Sequence, residues 1–212
     1  MTMFEVRECS NKDCRLRLPM NPSEFSGAYC PRCGEPMVRV LGPYQNSKCS
    51  TVDIQPKRKV SALLDNIRSA YNVGAMFRTA DGAGLQHLYL CGITPTPTDQ
   101  ETLRKTALGA EENVPWSTHP NAILLAKELR GKGLRLVGLE CTSKSLPIDQ
   151  YLELTEAAQS LILVVGNERS GIDPGLLDLC DEIISLPMIG RKVSLNVAVA
   201  FGIAAYWLSF GR

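Results

Sequence analysis

Leu161-Ile162-Leu163-Val164-Val165-Gly166-Asn167-Glu168-Arg169-Ser170-Gly171 is the stretch on which the fold turns. Five apolar residues without polar alternation describe a strand buried on both faces, the environment of a parallel sheet. Gly166 ends the run, and a glycine-rich loop with a single acid, Glu168, follows. Asp173 and Pro174 then supply a cap and a first-turn residue for a short helix over 174–179. Strand, polar loop and helix in that order form the repeating unit of an α/β sheet.

The same alternation extends outward in both directions. Apolar runs predict strands over Val60–Leu64, Leu85–Cys91, Leu134–Leu139 and Ile183–Leu186. Helical spacing predicts helices over Asn72–Gly82, Glu101–Leu108, Ala122–Arg130 and Ser194–Phe210. The expected architecture is therefore an α/β layer with a mostly parallel sheet over residues 60–212. Val193–Phe210 is the one membrane-like stretch, but it carries Ser194, Asn196 and Ser209 and lacks basic flanks. It reads as a buried terminal helix, being marginal in length for a span. The first residues hold no apolar run long enough for a signal peptide, so a cytoplasmic protein without a membrane segment is expected.

Residues 1–45 follow different rules. Four of the eight cysteines crowd into Cys9-x4-Cys14 and Cys30-Pro31-Arg32-Cys33-Gly34. Two short-spaced pairs are what a tetrahedral thiolate zinc site needs, and four protein ligands leave no open position for chemistry. Unligated buried cysteines and a redox pair are the other readings, although 45 residues are too few for the thioredoxin-like setting of the latter. A zinc-ribbon-like module over 1–45, a basic linker over 46–59 and an α/β domain over 60–212 follow. Cys49, Cys91, Cys141 and Cys180 read as ordinary core or near-surface residues.

Net charge is +1, which rules out a strong overall field toward nucleic acid or membrane. The distribution is uneven. Residues 1–59 hold 10 Lys and Arg against 6 Asp and Glu, whereas residues 60–212 hold 13 against 16. Lys57-Arg58-Lys59 ends the linker; solvated charge and phosphate contact are the two readings. His87 falls in an apolar strand pattern and reads as a packed core residue, while His119 falls in a polar loop.

Three stretches place glycine and polar residues where strands end. In the first, Asn72 and Arg78 lie six residues apart at the opening of a helix. The second is Gly166-Asn167-Glu168-Arg169-Ser170-Gly171. The third runs Leu186-Pro187-Met188-Ile189-Gly190 and then Ser194-Leu195-Asn196 into the last helix, where Ser194 suits an N-cap or first-turn position. Dinucleotide, P-loop and GxSxG fingerprints are absent.

Taken in order, the three stretches resemble the motifs of the SpoU/TrmH branch of the SPOUT RNA methyltransferases, over roughly residues 60–212. The resemblance implies an α/β fold with a deep C-terminal trefoil knot, S-adenosylmethionine as methyl donor, and transfer to a ribose 2′-hydroxyl of tRNA or rRNA. It also implies a homodimer whose site is completed across the interface. Asn72, Arg78, Glu168, Ser194 and Asn196 match the family's catalytic positions, with Arg78 acting on the ribose hydroxyl. Gly138, Leu139, Glu140, Gly166, Leu186, Met188, Gly190, Ser194 and Leu195 would surround the cofactor. Lys105–Ala110 would face RNA, and the zinc module could take over RNA contacts that some relatives make with a C-terminal extension. A non-catalytic RNA-binding protein on the same scaffold is the alternative; the intact Arg78, Asn72, Glu168 and Asn196 argue against it.

Overall fold

The computed structural model describes residues 2–45, 54–154 and 160–211, and the chain divides into two compact units, Met1–Ile54 and Gln55–Arg212. Cys49 and linker positions 46–53 lie outside the described residues.

The first unit is a three-stranded antiparallel sheet. Strand β1 (Met3–Cys9) lies between β2 (Arg17–Met20) and β3 (Met37–Gln45). Its buried apolar side chains, among those described, are Cys9, Met20, Cys30 and Met37. That is too little apolar surface to hold a fold of this size. The cysteine cluster itself occupies the place of a core.

The second unit follows the expected alternation. Its elements in chain order are β4 (Val60–Asp65), α1 (Ala70–Ala83), β5 (Leu88–Cys91), α2 (Glu101–Ala107), α3 (Ala110–Asn113), β6 (Trp116–His119), α4 (Ala122–Gly131), β7 (Arg135–Leu139), β8 (Leu146–Pro147), α5 (Ile148–Leu154), β9 (Leu161–Val165), α6 (Pro174–Leu177), β10 (Glu182–Ser185) and α7 (Val197–Phe210). The seven strands pair in parallel in the order β6-β5-β4-β9-β7-β10-β8. The apolar run over 161–165 is the central strand β9, buried at all five positions. Its pleat divides the run between two cores. Leu161, Leu163 and Val165 face a layer holding α1, α2 and α7, while Ile162 and Val164 face α4 and α6. β9 enters between β4 and β7, and β10 between β7 and β8. The last third of the chain thus runs through the middle of the sheet, an order compatible with the expected knot.

Helix α1 begins at Ser69, whose Oγ accepts from the Asn72 N–H, and ends at Gly84 in the left-handed region. Gly74 lets α2 approach: a Cβ there would meet the Leu103 carbonyl oxygen at 2.6 Å and Thr106 Cβ at 2.7 Å.

Several expectations need correction. The last helix starts at Val197 and its cap is Asn196, not Ser194, because the Asn196 carboxamide accepts from the Ala198 and Val199 N–H groups. The strand expected over 85–91 spans only Leu88–Cys91, and the one expected over 183–186 spans Glu182–Ser185. Sequence reading missed β6, β8, α3 and α5. His119 lies on β6, not in a loop, and His87 is half-buried in the turn just before β5, not in the core. The two rings sandwich the Ser117 hydroxyl, at 2.8 and 2.9 Å. Arg58 is 5% exposed and hence buried, not solvated linker charge. Among the described residues, no helix is long and apolar enough to cross a membrane.

Candidate functional site

A chamber of about 380 Å³ opens where β7, β9 and β10 end. These three strands are neighbours, and the crevice beyond strand carboxyl ends is where open α/β sheets hold ligands. The volume falls within the range of small-molecule sites. Leu139 and Glu140 line it after β7, Gly166 to Arg169 after β9, and Ser185, Leu186 and Met188 at the end of β10; residues 193–197, leading into α7, close it. Gly166 is required at the turn out of β9, since a Cβ there would overlap the backbone of Gly171 and Ile172.

Three of the side chains singled out in the sequence form one hydrogen-bonded chain. The Glu168 carboxylate accepts from the N–H groups of Arg68 (3.0 Å) and Ser69 (3.1 Å) and from Asn72 Nδ2 (2.9 Å). Asn72 Oδ1 in turn accepts from Asn196 Nδ2 at 3.2 Å. Asn196 Oδ1 accepts from the first N–H groups of α7. One carboxylate therefore ties the loop after β9 to the openings of α1 and α7. Partial burial pushes the Glu168 pKa up, but hydrogen bonds from the Arg68 N–H, from its own backbone N–H, from Asn72 and from the Ser69 N–H outweigh it and hold the group below the usual carboxylate range. The Glu140 carboxylate accepts from the Cys141 N–H at 3.0 Å and the Ile172 N–H at 3.2 Å.

The remaining positions divide. Leu139, Glu140, Gly166, Glu168, Leu186, Met188, Ser194, Leu195 and Asn196 line the chamber. Gly138 and Gly190 do not: Gly138 packs against Cys180, Leu177 and Ile172, and a Cβ on Gly190 would point into open space. Asn72 lies beside the chamber, in a shallow groove between α1 and α7 with Thr79, Val199, Ile203 and Tyr206. Arg78 lines neither cavity. It is exposed on α1 and makes no hydrogen bond or ion pair with a described residue. Asn167 was missed from sequence; it lines the chamber, and its Nδ2 donates to the Asn66 carbonyl at 2.6 Å. Its place just after a strand-ending glycine, where an Asn side chain organises a turn, was the available signal.

The walls combine apolar side chains with two carboxylates already satisfied by N–H donors. Such a lining suits a small, partly apolar ligand that carries positive charge.

In the first unit, the four sulfurs of Cys9, Cys14, Cys30 and Cys33 lie within 4.8 Å of one another. Cys9 and Cys33 are 3.4 Å apart and Cys14 and Cys30 3.8 Å. Tetrahedral coordination at about 2.3 Å per bond calls for sulfurs about 3.8 Å apart. The cluster can hold a metal ion with little rearrangement.

Comparison with known proteins agrees with this geometry. Residues 59–206 match the model of the SpoU rRNA Methylase family. The chain is 35% identical over 151 residues to the 23S rRNA (guanosine(2553)-2'-O)-methyltransferase RlmP of Bacillus subtilis (strain 168), covering 71% of this chain and 58% of that protein. It is 30% identical over 144 residues to the 23S rRNA (guanosine-2'-O-)-methyltransferase RlmB of Bordetella pertussis, covering 68% and 56%. The chain thus spans less than two thirds of the length of these curated relatives. Among solved structures, the TrmH/SpoU tRNA modifying enzyme of A. aeolicus aligns with a TM-score of 0.63 at 26% identity, over 72% of this chain and 76% of that one. The AdoMet-bound rRNA methyltransferase of Sinorhizobium meliloti aligns with a TM-score of 0.63 at 27% identity, over 74% and 58%.

Proposed function

Because the chain belongs to the SpoU rRNA methylase family, we propose that it transfers the methyl group of S-adenosylmethionine to a ribose 2′-hydroxyl of tRNA or rRNA. The observation that carries this reading is the chamber at the ends of β7, β9 and β10, bounded by the Glu168–Asn72–Asn196 chain. When bound, S-adenosylmethionine supplies a methyl group already activated by a sulfonium centre. The chamber suits that donor: Leu139, Leu186 and Leu195 offer apolar walls, and Glu140 and Glu168 offer negative potential to a cation.

The work left to the protein is alignment and management of the hydroxyl proton. Glu168 and Asn196 act by positioning, since their polar atoms are engaged with backbone and with Asn72. Arg78 has no such engagement and is free to stabilise the developing alkoxide. It stands outside the chamber of its own chain. The α1/α7 groove exposes Val199, Ile203 and Tyr206 beside Asn72, and a homodimer built on this face would let the partner subunit's Arg78 serve this chamber. The four cysteines we assign to structural zinc, which their spacing suits better than a catalytic metal. We assign the enzyme to the cytoplasm, where RNA substrates and reduced thiolates are kept.

Arg78→Ala is the test of the chemical role. Methyl transfer should fall at least about 100-fold, the scale of a lost proton-handling or oxyanion group, while calorimetry finds S-adenosylmethionine affinity within about twofold of the parent. Unchanged turnover would remove Arg78 from the reaction. Cofactor binding without transfer to any RNA, in the unaltered chain, would favour a non-catalytic RNA-binding protein.

A further inference from the structure

Charged side chains are managed differently at the two ends of the parallel sheet. Near the amino ends of β7 and β10, cations pair with acids: Arg130 with Asp181, Lys132 with Glu128, and Arg135 with Glu182. At the carboxyl ends the acids are spent on backbone instead. Glu168 accepts from the Arg68 and Ser69 N–H groups, Glu140 from Cys141 and Ile172, Asp65 from Asp173, and Asp173 from Gly175. The cations at this end are left over. Arg68, Arg169, Arg191 and Lys192 are all exposed, and none makes a side-chain hydrogen bond or ion pair with a described residue.

These four residues stand around the chamber. The Arg68 backbone is 3.0 Å from the Glu168 carboxylate, and Arg169 follows Glu168 and lines the chamber. Arg191 and Lys192 lie in the loop between the lining residues Met188 and Val193. Carboxylates in the lining, with unpaired cations on the segments beside it, suit two ligands of opposite charge: a cation inside and a polyanion across the mouth.

We infer that Arg68, Arg169, Arg191 and Lys192 hold the phosphodiester backbone of the substrate RNA on both sides of the nucleotide presented to the chamber. The inference rests on the reading of the chain as an RNA methyltransferase and names the side chains that grip the strand. Three of the four are Arg, whose planar fork suits phosphate oxygens. The contacts are independent of base, so they set affinity and register but not sequence preference.

The test is salt dependence. The full-length chain and its Arg68→Gln, Arg169→Gln and Arg191→Gln/Lys192→Gln variants are titrated with a labelled 20-nucleotide single-stranded RNA at several salt concentrations. Lys127→Gln, an exposed unpaired cation on α4, is the control. Each rim cation removed should flatten the plot of log affinity against log salt by about 0.7. All four together should weaken binding by at least about tenfold at low salt. The control slope should not move, and the thermal melting of every variant should match that of the unaltered chain, which separates a lost contact from a damaged fold. Slopes equal to that of the unaltered chain would overturn the inference and leave the methyltransferase reading standing. An unaltered chain that bound neither RNA nor S-adenosylmethionine would overturn both.

Discussion

Glu168 shows how much one side chain can organise. Its carboxylate accepts two backbone N–H groups at the opening of α1 and the Asn72 carboxamide, which passes the constraint to Asn196. Glu168→Gln keeps the shape and removes the charge. The expected cost is about 1 kcal/mol, the value of charge-assisted hydrogen bonds discounted for an exposed site. Its pH dependence has a definite sign. The folded-state pKa is depressed, so the contribution is present above the ordinary value of 4.5 and is lost as pH falls through the lower folded value. Denaturant titrations should separate parent and variant at pH 7 and bring them together at acid pH; a gap that persists there would mean that the loss does not come from the carboxylate's charge. The sequence showed Glu168 as the sole acid of a glycine-rich loop. It could not show the three donors, because Arg68, Ser69 and Asn72 lie about a hundred positions away.

At the scale of elements, the strand–helix alternation was legible because buried strands must be apolar and helices keep their spacing. The central run over 161–165 needed no correction. Some short elements were not legible. Strands β6 and β8 have four and two residues, and α3 has four, too few for a period to register. The start of α7 was misjudged for another reason. Ser194 and Asn196 are both good caps by residue type, and only the contact with Asn72 on α1 selects Asn196. Asn196→Ala should therefore cost about 1 kcal/mol as a lost cap and also free Asn72. Differential scanning calorimetry reads the first effect and cofactor affinity the second. A variant with parent-like melting and binding would show that the cap is dispensable.

For the molecule as a whole, the two units are stabilised by different means. The second has two apolar layers on either side of a parallel sheet, whereas the first has a core of Cys9, Cys30 and Met37. Metal binding is worth about 10–16 kcal/mol in comparable small thiolate modules, so strong chelation should unfold residues 1–45 and leave the α/β unit folded. Amide exchange resolved by segment checks this; protection of 1–45 that survives chelation would sink the metal's structural role. The basic excess noted in the sequence is not a property of this unit, because residues 1–45 carry six Lys and Arg against five Asp and Glu. The unpaired cations that matter to the proposed RNA contact surround the chamber of the other unit. The spacing of cysteines and motifs made both units legible, whereas the pairing of charges required the structure. Methyl transfer to a ribose hydroxyl can be measured directly. The full chain is incubated with methyl-labelled S-adenosylmethionine and unmodified tRNA and rRNA, and the product is digested to nucleosides. Label in a 2′-O-methylnucleoside, lost in the Arg78→Ala variant, is the expected result; label on a base, or none in any RNA despite bound cofactor, would contradict the account.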